Sequence, residues 1–85
     1  MVCEFLRTRD KRLLMKMAST HELVKAGFKN EISAYSARRQ GIISDAKCEK
    51  LIQILGPRAI PIVDQALQEF TKQVQAFKQK FGQTP

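Results

Sequence analysis

The chain has 85 residues, of which 44% are hydrophobic, so it can form one domain with one small core, and it is too rich in apolar residues for a disordered tail. Fifteen Lys and Arg residues against eight Asp and Glu give a net charge of +7. This excess makes polyanions the first expected partners: nucleic acid, then an acidic protein or membrane surface. No apolar run is long enough to span a bilayer, so a single cytoplasmic domain over residues 1–85 with no membrane partner is expected.

The two cysteines, Cys3 and Cys48, lie in different sequence surroundings and do not form a metal-type pair. No cleavable signal segment precedes them, which favours reduced thiols, with a single bridge as the alternative. Cys48 falls on an apolar helical stripe and is expected to be a small buried hydrophobe.

Residues 2–18 contain no Gly or Pro, and their apolar side chains fall on one side of a helix with the basic residues opposite. The pattern predicts one continuous first helix. Its expected inward residues are Phe5, Leu6, Leu13, Leu14 and Met17.

The run Ser19-Thr-His-Glu22 has the form of a capping box, so a second helix is expected to begin at Thr20. Gly27 is expected to end this helix, and Phe28 is expected to pack into the core directly after it. The expected inward residues of this short helix are Leu23, Val24 and Ala26.

Asn30 is a suitable cap for a third helix that runs to Gln40 and stops at Gly41. This helix has few apolar residues, which favours an exposed position. Ile42 and Ile43 form an apolar link to the next cap, Ser44. The fourth helix then carries the stripe Cys48, Leu51, Ile52 and Leu55, and Gly56-Pro57 ends it.

The last segment, residues 60–81, admits Pro61 in its first turn and repeats apolar residues at alternating intervals of four and three. Such a seam needs a partner, either the protein's own core or the same helix of a second subunit. Gly82 is expected to end the helix and residues 82–85 to fray.

The expected fold is all-α, a five-helix bundle with a longer C-terminal helix. The predicted dimerisation residues are Val63, Leu67, Phe70, Val74, Phe77 and Phe81.

Residues 32–56 carry a resemblance to a known protein family. The pattern Ile-Ser-x-Tyr, then a basic pair and glycine, then Ser-Asp-Ala-Lys-Cys-Glu-Lys-Leu-Ile-Gln-Ile-Leu-Gly resembles the recognition helix and following helix of Cro and phage-repressor helix-turn-helix proteins. The resemblance implies a helix-turn-helix core at 19–56 and a homodimer that reads a two-fold site in double-stranded DNA. It implies a repressor-like transcriptional regulator encoded by a phage or mobile element.

The same resemblance implies roles for individual residues. The start of the third helix would face the major groove, with Ile32 and Tyr35 anchoring that helix to the core. The paired arginines would reach phosphates or a guanine edge, which suits their planar fork. Basic residues of the first and second helices would contact phosphates. The implied DNA-binding residues are Thr20, His21, Lys25, Lys29, Asn30, Glu31, Ser33, Ala34, Arg38 and Arg39.

Two other interpretations involve proteins as partners. The runs Arg9-Asp-Lys-Arg-Leu-Leu and Lys50-Leu-Ile-Gln-Ile-Leu-Gly-Pro-Arg-Ala, with the turn Arg-Arg-Gln-Gly-Ile-Ile, resemble parts of a caspase-recruitment domain. The chain is short by one of that fold's six helices. The third interpretation is a small basic anti-regulator that binds an acidic host protein.

Catalysis has little support in the sequence. His21 is the only histidine, and no acidic or thiol cluster shares its helical face. Cys48 has no neighbouring base, and Ser33 and Ser36 are better suited to solvent or phosphate contacts than to nucleophilic attack. We therefore expect no enzyme, no metal, no cofactor and no small-molecule substrate.

Overall fold

The structure, a computed structural model, describes residues 2–81, and within them every regular element is helical. The predicted all-α class is confirmed. Four of the helices have ten residues or more and α2 has six. The helices are α1 (Thr8–Met17), α2 (Thr20–Lys25), α3 (Glu31–Gln40), α4 (Asp45–Leu55) and α5 (Ile60–Phe81), with a first 3-10 turn at Val2–Phe5 and a second at Gly56–Ala59. The predictions for Gly82 and the tail at 82–85 lie outside the described residues.

The segment predicted as one helix over 2–18 is broken. The backbone is extended at Arg7, and the Arg7 N–H donates to Asp10 Oδ2 at 3.1 Å. Asp10 therefore acts at the third position of α1 as an N-terminal cap and separates α1 from the first turn. The inward residues of α1 also differ from the prediction: Met15 is fully buried, whereas Leu13 and Met17 are 43% and 38% exposed.

The predicted starts of the next three helices are confirmed. Ser19 Oγ accepts from the Glu22 N–H at 3.1 Å, and the Glu22 carboxylate accepts from the Ser19 N–H at 3.0 Å, which completes the capping box. Asn30 Oδ1 accepts from the Ser33 N–H at 2.8 Å. Ser44 Oγ accepts from the Lys47 N–H at 3.3 Å. Each cap satisfies a backbone donor that the first turn of a helix leaves free.

The core lies between α4, α1, α2 and the first turn. Helix α4 contacts all three of these elements, and α3 packs mainly on α2. The predicted inward residues of α2 and the stripe on α4 are buried or half-buried, and Phe28 packs against this core. The largest fully buried side chains are Leu14, Met15, Leu23, Leu51, Cys3 and Cys48.

Cys3 and Cys48 form a disulfide, so the expectation of reduced thiols is wrong for this structure. Their Cα atoms are 6.2 Å apart, and Cys48 is fully buried as predicted. Beside the bridge, the Cys3 N–H donates to Glu49 Oε1 at 2.7 Å. The first turn is thereby attached to α4 at two adjacent points. The two cysteines are 45 positions apart in the sequence, so only the tertiary fold brings them together.

The seam on α5 is divided between two environments. Val63 is half-buried against the core, and the Phe70 ring lies 4.8 Å from that of Phe5 in the first turn. Towards the end of the helix, Phe77 and Phe81 are 63% and 62% exposed and contact each other with ring centroids 5.0 Å apart. Val63 thus packs against the core, whereas Leu67 and Phe70 remain 38% and 42% exposed and the last two phenylalanines are exposed further.

Reduction of the disulfide should destabilise the fold. A bridge that closes a loop of this length contributes roughly 4 kcal/mol by restricting the unfolded chain. Denaturant unfolding with and without a phosphine reductant should therefore show a lower midpoint after reduction. The double variant Cys3→Ser with Cys48→Ala is the control, because its midpoint should not respond to the reductant. Equal midpoints for the oxidised and reduced wild-type chain would contradict this prediction.

Stability should also fall in acid because of Glu22. The Ser19 N–H hydrogen bond and, after it, the Arg58 guanidinium lower the pKa of the Glu22 carboxyl below its ordinary value. A carboxyl whose pKa is lower in the folded chain stabilises that state above its unfolded pKa, and this contribution is lost as pH falls through the folded pKa.

The variant Glu22→Gln should flatten this part of the stability profile between the ordinary carboxyl pKa and the lowered one. Urea unfolding of both proteins across that acidic range measures the difference. Glu4→Gln is the matched control, since Glu4 is an exposed carboxyl outside the capping box. Parallel profiles for Glu22→Gln and the wild type would contradict the assignment.

Candidate binding surface on α3

Helix α3 presents one face to the bundle and the opposite face to solvent. Ala34 is fully buried, while Ser33, Ala37 and Arg38 are half-buried. Residues three and four positions apart share a helix face. The outward face accordingly carries Ile32, Tyr35 and Arg39, which we call the α3 ridge, with Ser36 beside them.

The orientation of α3 contradicts the predicted positions of three side chains. Ile32 and Tyr35 were expected to anchor α3 in the core, but they are 81% and 55% exposed. Ala34 was expected in the DNA groove, but its exposure is 0%. The small side chains of Ala34 and Ala37 allow α3 to approach its neighbours closely, whereas Ile32 and Tyr35 would hold it away. The spacing of two alanines at i and i+3 is the sequence signal for this orientation.

The paired arginines have different environments. Arg39 is exposed, as predicted. Arg38 is half-buried, and its Nε and Nη2 atoms are covered without a hydrogen-bond partner among the described residues. Arg12 of α1 lies against the end of α3, where an added Cβ at Gly41 would meet its side chain at 2.2 Å. Gly41 has φ +73°, so its lack of a side chain serves both the left-handed end of α3 and the approach of Arg12.

The other implied DNA-binding residues lie on α2, on the link that follows it and at the start of α3. His21, Lys25, Lys29, Asn30 and Glu31 are exposed. Thr20 and Ser33 are half-buried, and the Asn30 amide oxygen is engaged in capping. Because α2 and α3 pack together, these residues lie on one helix pair.

A groove runs between the outward side of α3 and the start of α4. Its volume is about 620 Å³, and Ile42, at its edge, is 67% exposed while Ile43 is buried. The two isoleucines were predicted only as an apolar link, but one of them faces solvent and the other packs in the core. The groove is lined by Phe28, Ile32, Ser33, Ser36, Ala37, Gln40, Ile42, Ile43, Ser44 and Lys47. We call it the α3–α4 groove.

The charged side chains that line the groove and the depression beside it are positive. Lys47 Nζ lies 4.8 Å from the centre of the Phe28 ring, a cation–π contact, and Arg39 lines the adjoining depression beside Ile32 and Tyr35. Within residues 2–81 neither Lys47 nor Arg39 forms an ion pair. Within the same residues, three acidic side chains outside the lining form ion pairs: Glu69 with Arg7 and Arg9, Asp45 with Lys11, and Glu22 with Arg58.

Residues 2–81 contain no group of three or more His, Cys, Asp or Glu side chains arranged to hold a metal ion. The same residues include no helix of the length and apolarity needed to cross a bilayer.

Comparison of the chain with protein-family models, curated proteins and solved structures finds no significant match. A function must therefore be argued from the surface of the molecule.

Proposed function

We propose that this chain is a helical protein-interaction module that binds a protein partner through the α3 ridge and the α3–α4 groove. The proposal rests on Ile32 and Ile42, which both line the groove and are 81% and 67% exposed. Contiguous exposed apolar side chains are costly in water and are typical of surfaces that a partner covers.

The composition of the ridge supports the same proposal. Tyr and Arg are among the residue types enriched at the positions that dominate binding energy in protein interfaces, and Tyr35 and Arg39 share one helix face with Ile32. The lining of the groove includes hydroxyl, amide and ammonium groups but no carboxylate, imidazole or thiol. Its chemistry therefore suits binding rather than general acid–base work. This class of function agrees with the weaker resemblance, that to caspase-recruitment domains.

A photo-crosslinking amino acid at Ser36 tests this proposal in the cells that express the chain. Ser36 is exposed on the edge of the groove, so the probe should capture one defined protein. Adding Ile32→Asp should remove most of this product, because a carboxylate would have to be desolvated in an apolar contact. The fold should persist, since Ile32 makes little contact with the core.

The control places the same probe at Gln65, an exposed position on α5 outside the groove. It should not capture the same protein. Capture that is equal from both positions, or unchanged by Ile32→Asp, would contradict the assigned surface.

Double-stranded DNA binding is the second candidate, supported by the charge distribution. Of fifteen Lys and Arg residues in the sequence, Arg7, Arg9, Lys11 and Arg58 form ion pairs within residues 2–81. The net charge of +7 therefore resides mainly in side chains available to phosphates. On this proposal the chain is a cytoplasmic, repressor-like homodimer, and Arg39 is the best placed of the predicted base-reading or phosphate-binding residues.

Mobility-shift titrations at several salt concentrations test the DNA candidate. Loss of one phosphate contact in Arg39→Ala should reduce the slope of log affinity against log salt by about one. Lys72→Ala is the matched control, because Lys72 is exposed on α5, away from the helix pair. Identical slopes for the two variants, or no retarded duplex with the wild type, would remove α3 as the DNA-binding helix.

The predicted homodimer rests on the exposed end of α5. Sedimentation equilibrium should show a dimer for the wild type and a monomer for Phe77→Asp with Phe81→Asp, because these exposed rings would form the seam. Phe70 is unsuitable for this test because it contacts Phe5. Gln75→Asp with Gln79→Asp is the control, since it adds the same charges at exposed polar positions of α5. A monomeric mass for the wild type would exclude the dimer.

A further inference from the structure

We propose that the α3–α4 groove binds an amphipathic helix of the partner that carries Asp and Glu beside its apolar stripe. The inference rests on the proposed protein-interaction function and goes further, because it specifies the chemistry of the partner. It follows from the shape of the groove together with the sign of the charges around it.

The shape suits a helix with an apolar stripe. Ile32 and Ile42 stand at the surface of the groove, while Ile43 lies buried and Phe28 half-buried below them. Side chains repeating at intervals of three and four on a partner helix would enter between the two exposed isoleucines, as in other helix-in-groove complexes. Ser36 and Gln40 add hydrogen-bonding groups along the α3 side.

The charge around the groove selects the polar residues of that helix. Lys47 lies in the groove over Phe28, and Arg39 lies in the adjoining depression. Neither forms an ion pair within the described range 2–81, and the lining of the groove contains no carboxylate. Acidic side chains on the partner would therefore gain cationic neighbours, whereas basic ones would be repelled.

The exposed end of α5 from a second copy does not meet this requirement. Its Phe77 and Phe81 are apolar, but residues 71–81 also carry Lys72, Lys78 and Lys80 and no acidic residue. Placing this segment in the groove would bring these lysines towards Arg39 and Lys47. Like charges at an interface disfavour such a pairing.

Three synthetic helical peptides of roughly fifteen residues, a length at which a helix can form, test the proposal by fluorescence anisotropy with the full chain. The first has leucines at intervals of three and four with glutamates at the flanks. The second replaces every glutamate by lysine, and the third has the acidic composition with the leucine spacing scrambled. The first should bind roughly tenfold or more tightly than either of the others.

Variants of the chain then locate the site. Arg39→Glu with Lys47→Glu should reverse the preference between the acidic and basic helices, and Ile32→Asp should weaken binding of both. Lys72→Glu with Lys78→Glu, which makes the same charge change at exposed positions of α5, should leave the preference unchanged. Amide chemical-shift changes on adding the acidic helix should concentrate in residues 28–47.

Several outcomes would overturn the inference. They are equal binding of the acidic and basic helices, binding of the acidic helix that does not respond to Ile32→Asp, displacement of that helix by duplex DNA at the same residues, and self-association through the groove. A specific partner captured at Ser36 without any binding of the acidic helix would refute this inference alone. Failure of both experiments would refute the proposed function as well.

Discussion

The buried face of α4 is the constraint on which the rest of the bundle depends. Leu51 and Cys48 are fully buried there, and α4 contacts the first turn, α1 and α2. A fully buried leucine contributes roughly 2 kcal/mol by leaving water, and small domains have few such residues. The disulfide at Cys48 adds a covalent connection to this face. The core is therefore concentrated at one helix rather than spread evenly along the chain.

This concentration explains why α3 and the end of α5 have exposed apolar surfaces. Helix α3 contributes only Ala34 to the buried core, which leaves its larger side chains directed outward. Helix α5 places Ala66 against the bundle, but its last turns extend past the residues that could cover Phe77 and Phe81. Apolar side chains that do not serve the core are available for recognition, because the surface they expose is removed from water only when a partner binds.

The local features of the fold were predictable from sequence. Ser19, Asn30 and Ser44 act within one turn of the helices they cap, so a short run of residues contains all the information needed. The same holds for the glycine that ends α3, whose positive φ suits no other residue as well. The starts of α2, α3 and α4 depend on these short-range interactions.

The candidate surface was less predictable because it depends on the rotation of α3 about its axis. A helix with few apolar residues can bury either its isoleucine and tyrosine or its two alanines, and tertiary packing decides between them. The first turn is separated from α1 because the Asp10 carboxylate accepts the Arg7 N–H, which a continuous helix would have bonded to a backbone carbonyl. The hydrophobic pattern continues across this break and so gave no sign of it. The disulfide depended on a contact between distant parts of the chain.

The position of the bridge has a topological consequence. The covalent ring closed by Cys3 and Cys48 contains α1, α2, α3 and the start of α4, including the α3 ridge and every residue that lines the α3–α4 groove. Helix α5 lies wholly outside this ring. The groove and the exposed end of α5 are therefore constrained differently: the groove lies within a closed loop of backbone, whereas Phe77 and Phe81 lie on a segment outside that loop. Evolution or engineering can lengthen, shorten or replace that segment without opening the ring that carries the groove.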